Sequence, residues 1–328
     1  MSDETPRIHR PVFALALALV GGASALIAID PEASHQSLGA LLESVTWNLG
    51  PLFLWFAFGA MLLLAWLAFS EHGGKRMGPS KEAPEFSLFS WLGMLFCAGI
   101  GSSLLYWGTI EWAYYYADPP FGIPPRSPEA AEWGAAYALF HWGIPAWSIY
   151  TIATLPMVWA LHVRNAASLR LSEACRGVLG DRVDGPLGTV IDVLFMFGRI
   201  GGVGTSLGLG VPMISAGAGE LLGVERDFLL DAGIILLLTA VFGGSAYMGL
   251  SGGIKRLSDL NVVLALVLAV FLLFAGPTVF IVNMFTESFG RMLQNFFLMS
   301  FHVDPIRGEG FPQDWTIFYW AWWIAFAP

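Results

Sequence analysis

Phe140-His141-Trp142-Gly143-Ile144-Pro145-Ala146-Trp147-Ser148-Ile149-Tyr150 lies inside an apolar run long enough to enter a bilayer. Three large aromatics with polar tips, Trp142, Trp147 and Tyr150, stand within it. On a continuous helix at about 100° per residue they fall within roughly 140° of one surface. A second aromatic cluster, Tyr319-Trp320-Ala321-Trp322-Trp323, closes the chain. Indole and phenol faces are negative at their centres and attract cations that hydrogen bonds cannot satisfy, quaternary ammonium groups above all. Rings placed inside spans rather than at their ends point to a cage for a betaine-like solute. The competing reading, for any one ring, is an interfacial belt or plain packing.

Working outward, the 328-residue chain is 56% hydrophobic and 12% charged, against about 25% charged in soluble domains. This composition predicts an all-α polytopic membrane protein and leaves no basic surface for nucleic acid. The net charge of −9 carries little, because the position of charges matters more than their sum in such chains. Cys97 and Cys175 are placed in a span and a basic loop and predict no disulfide. The first apolar run is too long for a cleavable signal and lacks a small-residue cleavage site after it.

Seven stretches reach the roughly 20 residues that a crossing needs: Pro11–Ile29, Leu49–Phe69, Phe86–Trp112, Tyr137–Leu161, Leu187–Ala216, Phe228–Leu250 and Asn261–Met284. An eighth opens near Trp315 and is cut at Pro328, so the chain is expected to be the first part of a longer protein. One set of loops carries Arg7, Arg10, Lys75, Arg76, Lys81, Arg164, Arg170, Arg176, Arg182, Lys255 and Arg256; the other carries only Arg126, Arg226, Arg291 and Arg307. This asymmetry alternates with every span and predicts a cytoplasmic N-terminus in the cell (inner) membrane. Residues 285–301 read as an amphipathic helix on the outer surface, and the proline-rich link 117–128 as an extended external loop. The expected organisation is residues 1–85 for the tail and two peripheral spans, 86–284 for five further spans, 285–314 for the external helix and loop, and 315–328 for the opening of the eighth span.

The third span contains Cys97-Ala98-Gly99-Ile100-Gly101-Ser102-Ser103. Closely spaced glycines permit a broken helix whose freed backbone groups face a cavity and coordinate ions or substrate; close helix packing through small residues is the alternative. Arg199, within Gly198-Arg199-Ile200-Gly201-Gly202, is a charged group inside a span and by default a functional one. It either replaces a coupling cation, binds a substrate carboxylate, or forms a structural pair, with Glu111 as one candidate. Asp192 is on the same face but roughly 10.5 Å away along the axis, too far to pair directly. His141 is expected to be a hydrogen-bonded packing residue. No metal-spaced Cys/His cluster, P-loop or nucleophile–base pair is visible.

These residues resemble the betaine/carnitine/choline transporters. The likeness runs from about Pro51 to the end through Gly99-Ile100-Gly101, Trp107-Gly108, Glu111, Phe140-His141-Trp142-Gly143, Ala146-Trp147, Tyr150 and Thr205-Ser206-Leu207-Gly208-Leu209-Gly210. It continues through Gly253-Ile254-Lys255-Arg256-Leu257-Ser258, Gly276-Pro277-Thr278 and the segment from Trp315 to Trp323. The resemblance implies an inverted-repeat secondary transporter of five-plus-five helices after two extra spans, here spans 1–7 and part of 8. It implies a substrate cage of Trp142, Trp147, Tyr150 and Trp323, with Tyr114 as an additional contact in carnitine-type members and Trp320 and Trp322 as supports or gates. It further implies a small onium solute as ligand, a homotrimer in the lipid bilayer, and sodium or protons as coupling ion with no other cofactor. The ion-coupling or unwound segment would involve Cys97, Gly99, Ile100, Gly101, Ser103 and Arg199. Two positions depart from the pattern. Ser103 stands where many members carry glycine, or an acid in proton-coupled choline carriers, and Phe326 stands where a further Trp is common.

The leading expectation is alternating-access transport of onium solutes. Rival readings are an inverted-repeat carrier for amino acids or other zwitterions, a membrane-embedded enzyme, and a channel. An enzyme has only Glu111, Asp192, Arg199 and His141 to draw on, and no repeated selectivity segment supports a channel.

Overall fold

The structure, a computed structural model, describes residues 9–76, 83–100, 103–166 and 168–326. Within them the chain forms α-helices and no strand: α1 Arg10–Ile29, α2 Pro31–Phe69, α3 Leu88–Ile100, α4 Ser103–Ala117, α5 Pro128–His141, α6 Ile144–His162, α7 Leu171–Leu179, α8 Pro186–Leu222, α9 Phe228–Tyr247, α10 Lys255–Ala275, α11 Thr278–Gln294, α12 Phe296–Phe301 and α13 Phe318–Phe326. A 3₁₀ turn covers Gly180–Asp184, and π-helical turns precede α10 and α13 at Leu250–Ile254 and Pro312–Ile317.

Six helical stretches among the described residues are long and apolar enough to cross a membrane: 10–29, 31–69, 128–162, 186–222, 228–247 and 250–275. Their surfaces suit lipid. Leu236 and Leu237 on α9 and Phe271 on α10 are 70%, 63% and 63% exposed, an apolar covering far beyond what a water-facing surface carries. The protein is an all-α, multi-pass membrane protein.

Local sequence explains where the helices turn. Asp30 closes α1 and opens α2: its N–H donates to Leu26 O at 3.1 Å, and its Oδ1 accepts from the Ala33 N–H at 3.0 Å. Pro31 follows at a position that has no helical partner for an N–H in any case. Asp227 caps α9 in the same way, accepting from the Leu230 N–H at 2.8 Å.

The helices differ from the expected spans in two places. Of the third span, expected over Phe86–Trp112, the described parts are α3 and α4; Gly101 and Ser102, where an interruption was expected, lie outside the described residues, as do Arg7 and Lys81. The fourth, expected over Tyr137–Leu161, is divided into α5 and α6 at Trp142–Gly143. The seventh, expected to reach Met284, stops at Ala275. Pro277 lacks an N–H and disfavours helical geometry at Gly276 before it. The amphipathic helix α11 therefore starts at Thr278 rather than near 285, and Thr278 Oγ1 donates back to Leu273 O at 2.7 Å.

The described chain forms two compact units. One comprises residues 1–81, 140–202 and 295–328. Its core is the stripe Gly50, Leu54, Ala57 and Ala60 of α2, spaced three or four apart as one helix face requires. Against α2 lie Phe301, 4.6 Å from the Trp55 ring and 4.8 Å from Phe58. Phe140 packs on Phe296 at 5.6 Å and on Trp320 at 5.8 Å. Within this unit Asp192, 3% exposed, accepts from the Ser172 N–H and Oγ–H, each at 2.9 Å, with Arg170 Nε 3.6 Å away. A carboxylate on α8 thus caps the first turn of α7.

The other unit comprises residues 82–139 and 203–294. Ser90 Oγ on α3 donates to Asp259 Oδ2 on α10 at 3.1 Å, and Lys255 Nζ donates to the same oxygen at 2.7 Å. Gly253 is fixed by packing: a Cβ there would stand 2.0 Å from Ser245 O. Glu132 on α5 pairs with Arg291 on α11, whose guanidinium also lies 5.4 Å over the Trp133 ring.

Candidate functional site

The break between α5 and α6 creates the site. Pro145 has no N–H to return to the His141 carbonyl, so helix α5 ends at His141 and a new one begins at Ile144, with Gly143 as its extended N-cap at φ −94°, ψ −147°. Trp142 stands in the gap rather than on the face of one continuous helix, so the arc expected for the three aromatics holds only for Trp147 and Tyr150.

His141 and Thr316 fix how α13 meets this break. The imidazole Nε2 and the Thr316 Oγ1 share a hydrogen bond of 2.8 Å, and their residues are 0% and 2% exposed. With that register set, Trp323 meets two other rings. Its centroid is 5.6 Å from Trp142, crossed at 68°, and 5.0 Å from Tyr150, crossed at 62°. Trp147 joins through Tyr150 at 5.7 Å. Crossed rings at these separations form corners, and a cation seated in such a corner lies within the roughly 6 Å reach of both faces. Trp323 is 1% exposed, and its indole Nε1 finds no acceptor among the described residues.

The surrounding aromatics hold these rings. Tyr319 packs on His141 at 5.1 Å and on Trp142 at 5.7 Å. Trp320 is buried against Phe140 and His141. Trp322 stacks on Phe318 at 6.2 Å. Tyr319 belongs to the aromatic cluster and Thr316 to the segment from Trp315 to Trp323, and neither carries an expected role. Tyr319 lies one helical turn before Trp323, and that spacing is the signal that could have found it.

Helix α8 approaches α13 at Gly198. A Cβ on Gly198 would lie 2.6 Å from Ala325 O, so α8 can approach α13 this closely only with glycine there. The next residue, Arg199, is exposed.

Other expected positions belong to the second unit. Tyr114 belongs to the second unit, on α4, 6.1 Å from Trp107 by ring centroids. Cys97, Gly99 and Ile100 are helical, at the end of α3, and Ser103 begins α4. Cys97 is a contact between α3 and α10: its thiol donates to Ser258 O at 3.8 Å and accepts from Asn261 Nδ2 at 3.2 Å. Glu111 is buried and accepts from the Tyr115 hydroxyl. Among the described residues no group of three or more His, Cys, Asp or Glu is placed to hold a metal ion.

Residues 11–328 match the model of the betaine/carnitine/choline family transporters. The chain belongs to this family. A transporter of uncharacterised function from Escherichia coli K12, YeaV, is 41% identical over 82% of this chain and 56% of its own length. A carnitine transporter from Acinetobacter baumannii is 38% identical over 84% and 50%. The glycine betaine transporter OpuD of Bacillus subtilis 168 is 37% identical over 97% and 62%. The chain therefore spans about half to three-fifths of the length of these relatives.

Proposed function

We propose that this chain is part of a secondary transporter that moves onium solutes of the betaine, carnitine or choline type across the cell (inner) membrane by alternating access of two inverted repeats. The observation that carries the reading is the placement of the Trp142 and Tyr150 rings at crossed angles within 6 Å of Trp323. A desolvated onium group there would gain more than the roughly 1 kcal/mol of an exposed cation–π contact. Trp147 extends the wall through Tyr150, and Tyr114 is assigned to the same pathway by resemblance. The names of the Acinetobacter and Bacillus relatives supply carnitine and glycine betaine as first solutes to try. The N-terminus is placed in the cytoplasm by the Lys and Arg asymmetry of the loops, and a homotrimer is the proposed assembly.

The test is uptake by the full-length protein in liposomes. Saturable entry of labelled carnitine or glycine betaine is expected, with each competing against the other. Saturable entry of an unmethylated amino acid that no onium solute inhibits would replace this reading with that of an amino-acid carrier.

A further inference from the structure

The second unit contains a seam between α3 and α10 in which the cage rings take no part. Near the start of both helices, Ser90 Oγ donates to Asp259 Oδ2 at 3.1 Å and Lys255 Nζ donates to the same oxygen at 2.7 Å. Towards the end of α3, the Cys97 thiol donates to Ser258 O at 3.8 Å and accepts from Asn261 Nδ2 at 3.2 Å. Gly93 brings the helices together between these points: a Cβ there would stand 3.3 Å from Val262 Cγ2 and 3.8 Å from Ser258 O. The two helices therefore meet at a glycine flanked by polar bonds.

Two features make this a seam that can part. Both donors converge on one oxygen of Asp259, while Oδ1 is buried with no partner among the described residues. An unpartnered buried acceptor offsets much of what the neighbouring hydrogen bonds contribute, and a thiol is a weak donor and a weak acceptor. The second feature is the irregular start of α10. Gly249 has φ +77°, a left-handed conformation that favours glycine, and the π-helical turn Leu250–Ile254 follows it. A π turn closes i→i+5 bonds where an α-helix closes i→i+4. Its return to α geometry would rotate the helix beyond it by about 100°, the step of one residue, and would carry Lys255, Ser258, Asp259 and Asn261 away from α3.

We infer that the Ser90–Asp259–Lys255 cluster is a latch between α3 and α10 that opens and re-forms during the transport cycle. This rests on the alternating-access reading, and the Lys and Arg asymmetry that puts the start of α10 on the cytoplasmic side makes it an inner latch. Alternating access needs a closure on each side that breaks and re-forms. Polar bonds suit that task, because they exchange for bonds to water with a small net change in free energy. Cys97 reports the state of the seam: its thiol is half-buried with the latch closed and becomes open to reagent when α3 and α10 part.

The experiment is the rate at which N-ethylmaleimide labels Cys97 in the full-length protein carrying no other cysteine, in liposomes. It is measured with and without saturating carnitine or glycine betaine, alongside uptake of the same solutes. Solute is expected to change the wild-type labelling rate at least about threefold. Ser90→Ala and Lys255→Gln each remove one bond of the latch and should raise the rate without solute at least about threefold, the scale of one modest hydrogen bond. A second protein with Cys175 of α7 as its only cysteine should show no change on Ser90→Ala. A parallel rise at Cys175 would mean general loosening of the fold and would overturn the latch. A wild-type Cys97 rate that solute leaves unchanged, in a protein that takes the solute up, overturns it without any variant and leaves the transporter reading standing. A wild type that takes up no onium solute removes that reading and the latch together.

Discussion

Tyr150 on α6 and Trp323 on α13 meet with ring centroids 5.0 Å apart at an interplanar angle of 62°. Trp142 also crosses Trp323, at 5.6 Å and 68°. Trp323 is thus the shared wall of two aromatic corners, and it is 1% exposed.

That sharing ranks the cage residues. Trp323→Ala should lower onium uptake by the full-length protein at least tenfold, since a desolvated cation–π contact is worth about 2 kcal/mol. Trp147→Ala, which removes a ring joined through Tyr150, should also lower it at least tenfold. Phe at either position keeps a π face and should retain part of the rate. Initial-rate uptake in liposomes reads the difference, and unchanged rates in both alanine variants would remove the cage.

The His141–Thr316 bond ties the break after α5 to the turn before α13. Thr316→Val keeps the shape and leaves the imidazole nitrogen unpaired in a buried place, which costs about 1–3 kcal/mol. The expected result is a lower melting temperature in detergent together with weaker onium binding, because α13 carries Trp323. In the double variant with His141→Ala the two losses should not add. Fully additive losses would mean that the pair is not coupled.

Much of this arrangement was legible in the sequence, and its limits are physical. Apolar length gives the spans, ring chemistry marks Trp142, Trp147, Tyr150 and the cluster from Tyr319 to Trp323, and the family resemblance marks Trp323 within it. Periodicity treated the fourth span as one helix, because hydropathy does not register the lost N–H of Pro145 after Gly143. The same blindness extended the seventh span past Gly276–Pro277. Asp192 was weighed only against Arg199, its neighbour on one helix face. Its partners, Ser172 and Arg170, belong to another helix, and no one-dimensional pattern links them. Cys97 was assigned by its place among glycines, whereas its thiol contacts α10.

Asp192 makes a stability prediction. It satisfies the Ser172 N–H at the start of α7 while itself 3% exposed. Asp192→Ala should speed hydrogen exchange of the α7 amides and lower the melting temperature, as the loss of a helix cap costs about 1 kcal/mol or more. Asp192→Asn keeps one acceptor and should fall between. Unchanged α7 exchange in the alanine variant would show that the cap contributes nothing.

A second clasp on α7 should respond to pH. Arg176 donates to Glu173 at 2.7 Å and to Asp184 at 2.6 Å, with Asp181 at 3.8 Å and Arg170 3.4 Å from Glu173. The Arg176 hydrogen bonds hold both the Glu173 and Asp184 carboxyls below their usual range. A group whose folded pKa is depressed stabilises the fold above its unfolded pKa and loses that contribution as pH falls through the folded value. The melting-temperature gap between wild type and Arg176→Ala should therefore be present at neutral pH and close as pH drops below the ordinary Glu and Asp values of 4.5 and 3.8. A gap that stays constant over that range would assign Arg176 a packing role.

Coupling is the last consequence of Arg199. The guanidinium is charged at every relevant pH, and its helix comes close to α13 at Gly198 and Ala325. A fixed cation at that place can hold the site in its binding-competent state without a bound sodium ion, and because it does not titrate it cannot follow a proton gradient. The expected transport is exchange or weakly ion-dependent uptake. Replacing sodium by potassium at constant pH should leave at least about half of the initial rate in liposomes containing the full-length protein. A fall of more than about nine-tenths would mean that sodium is an obligatory partner and that the arginine does not stand in for it. If the rate is retained, Arg199→Ala distinguishes the charge from mere bulk: it should abolish transport or create a sodium requirement, whereas a variant that still works without sodium would leave the arginine a structural residue of α8.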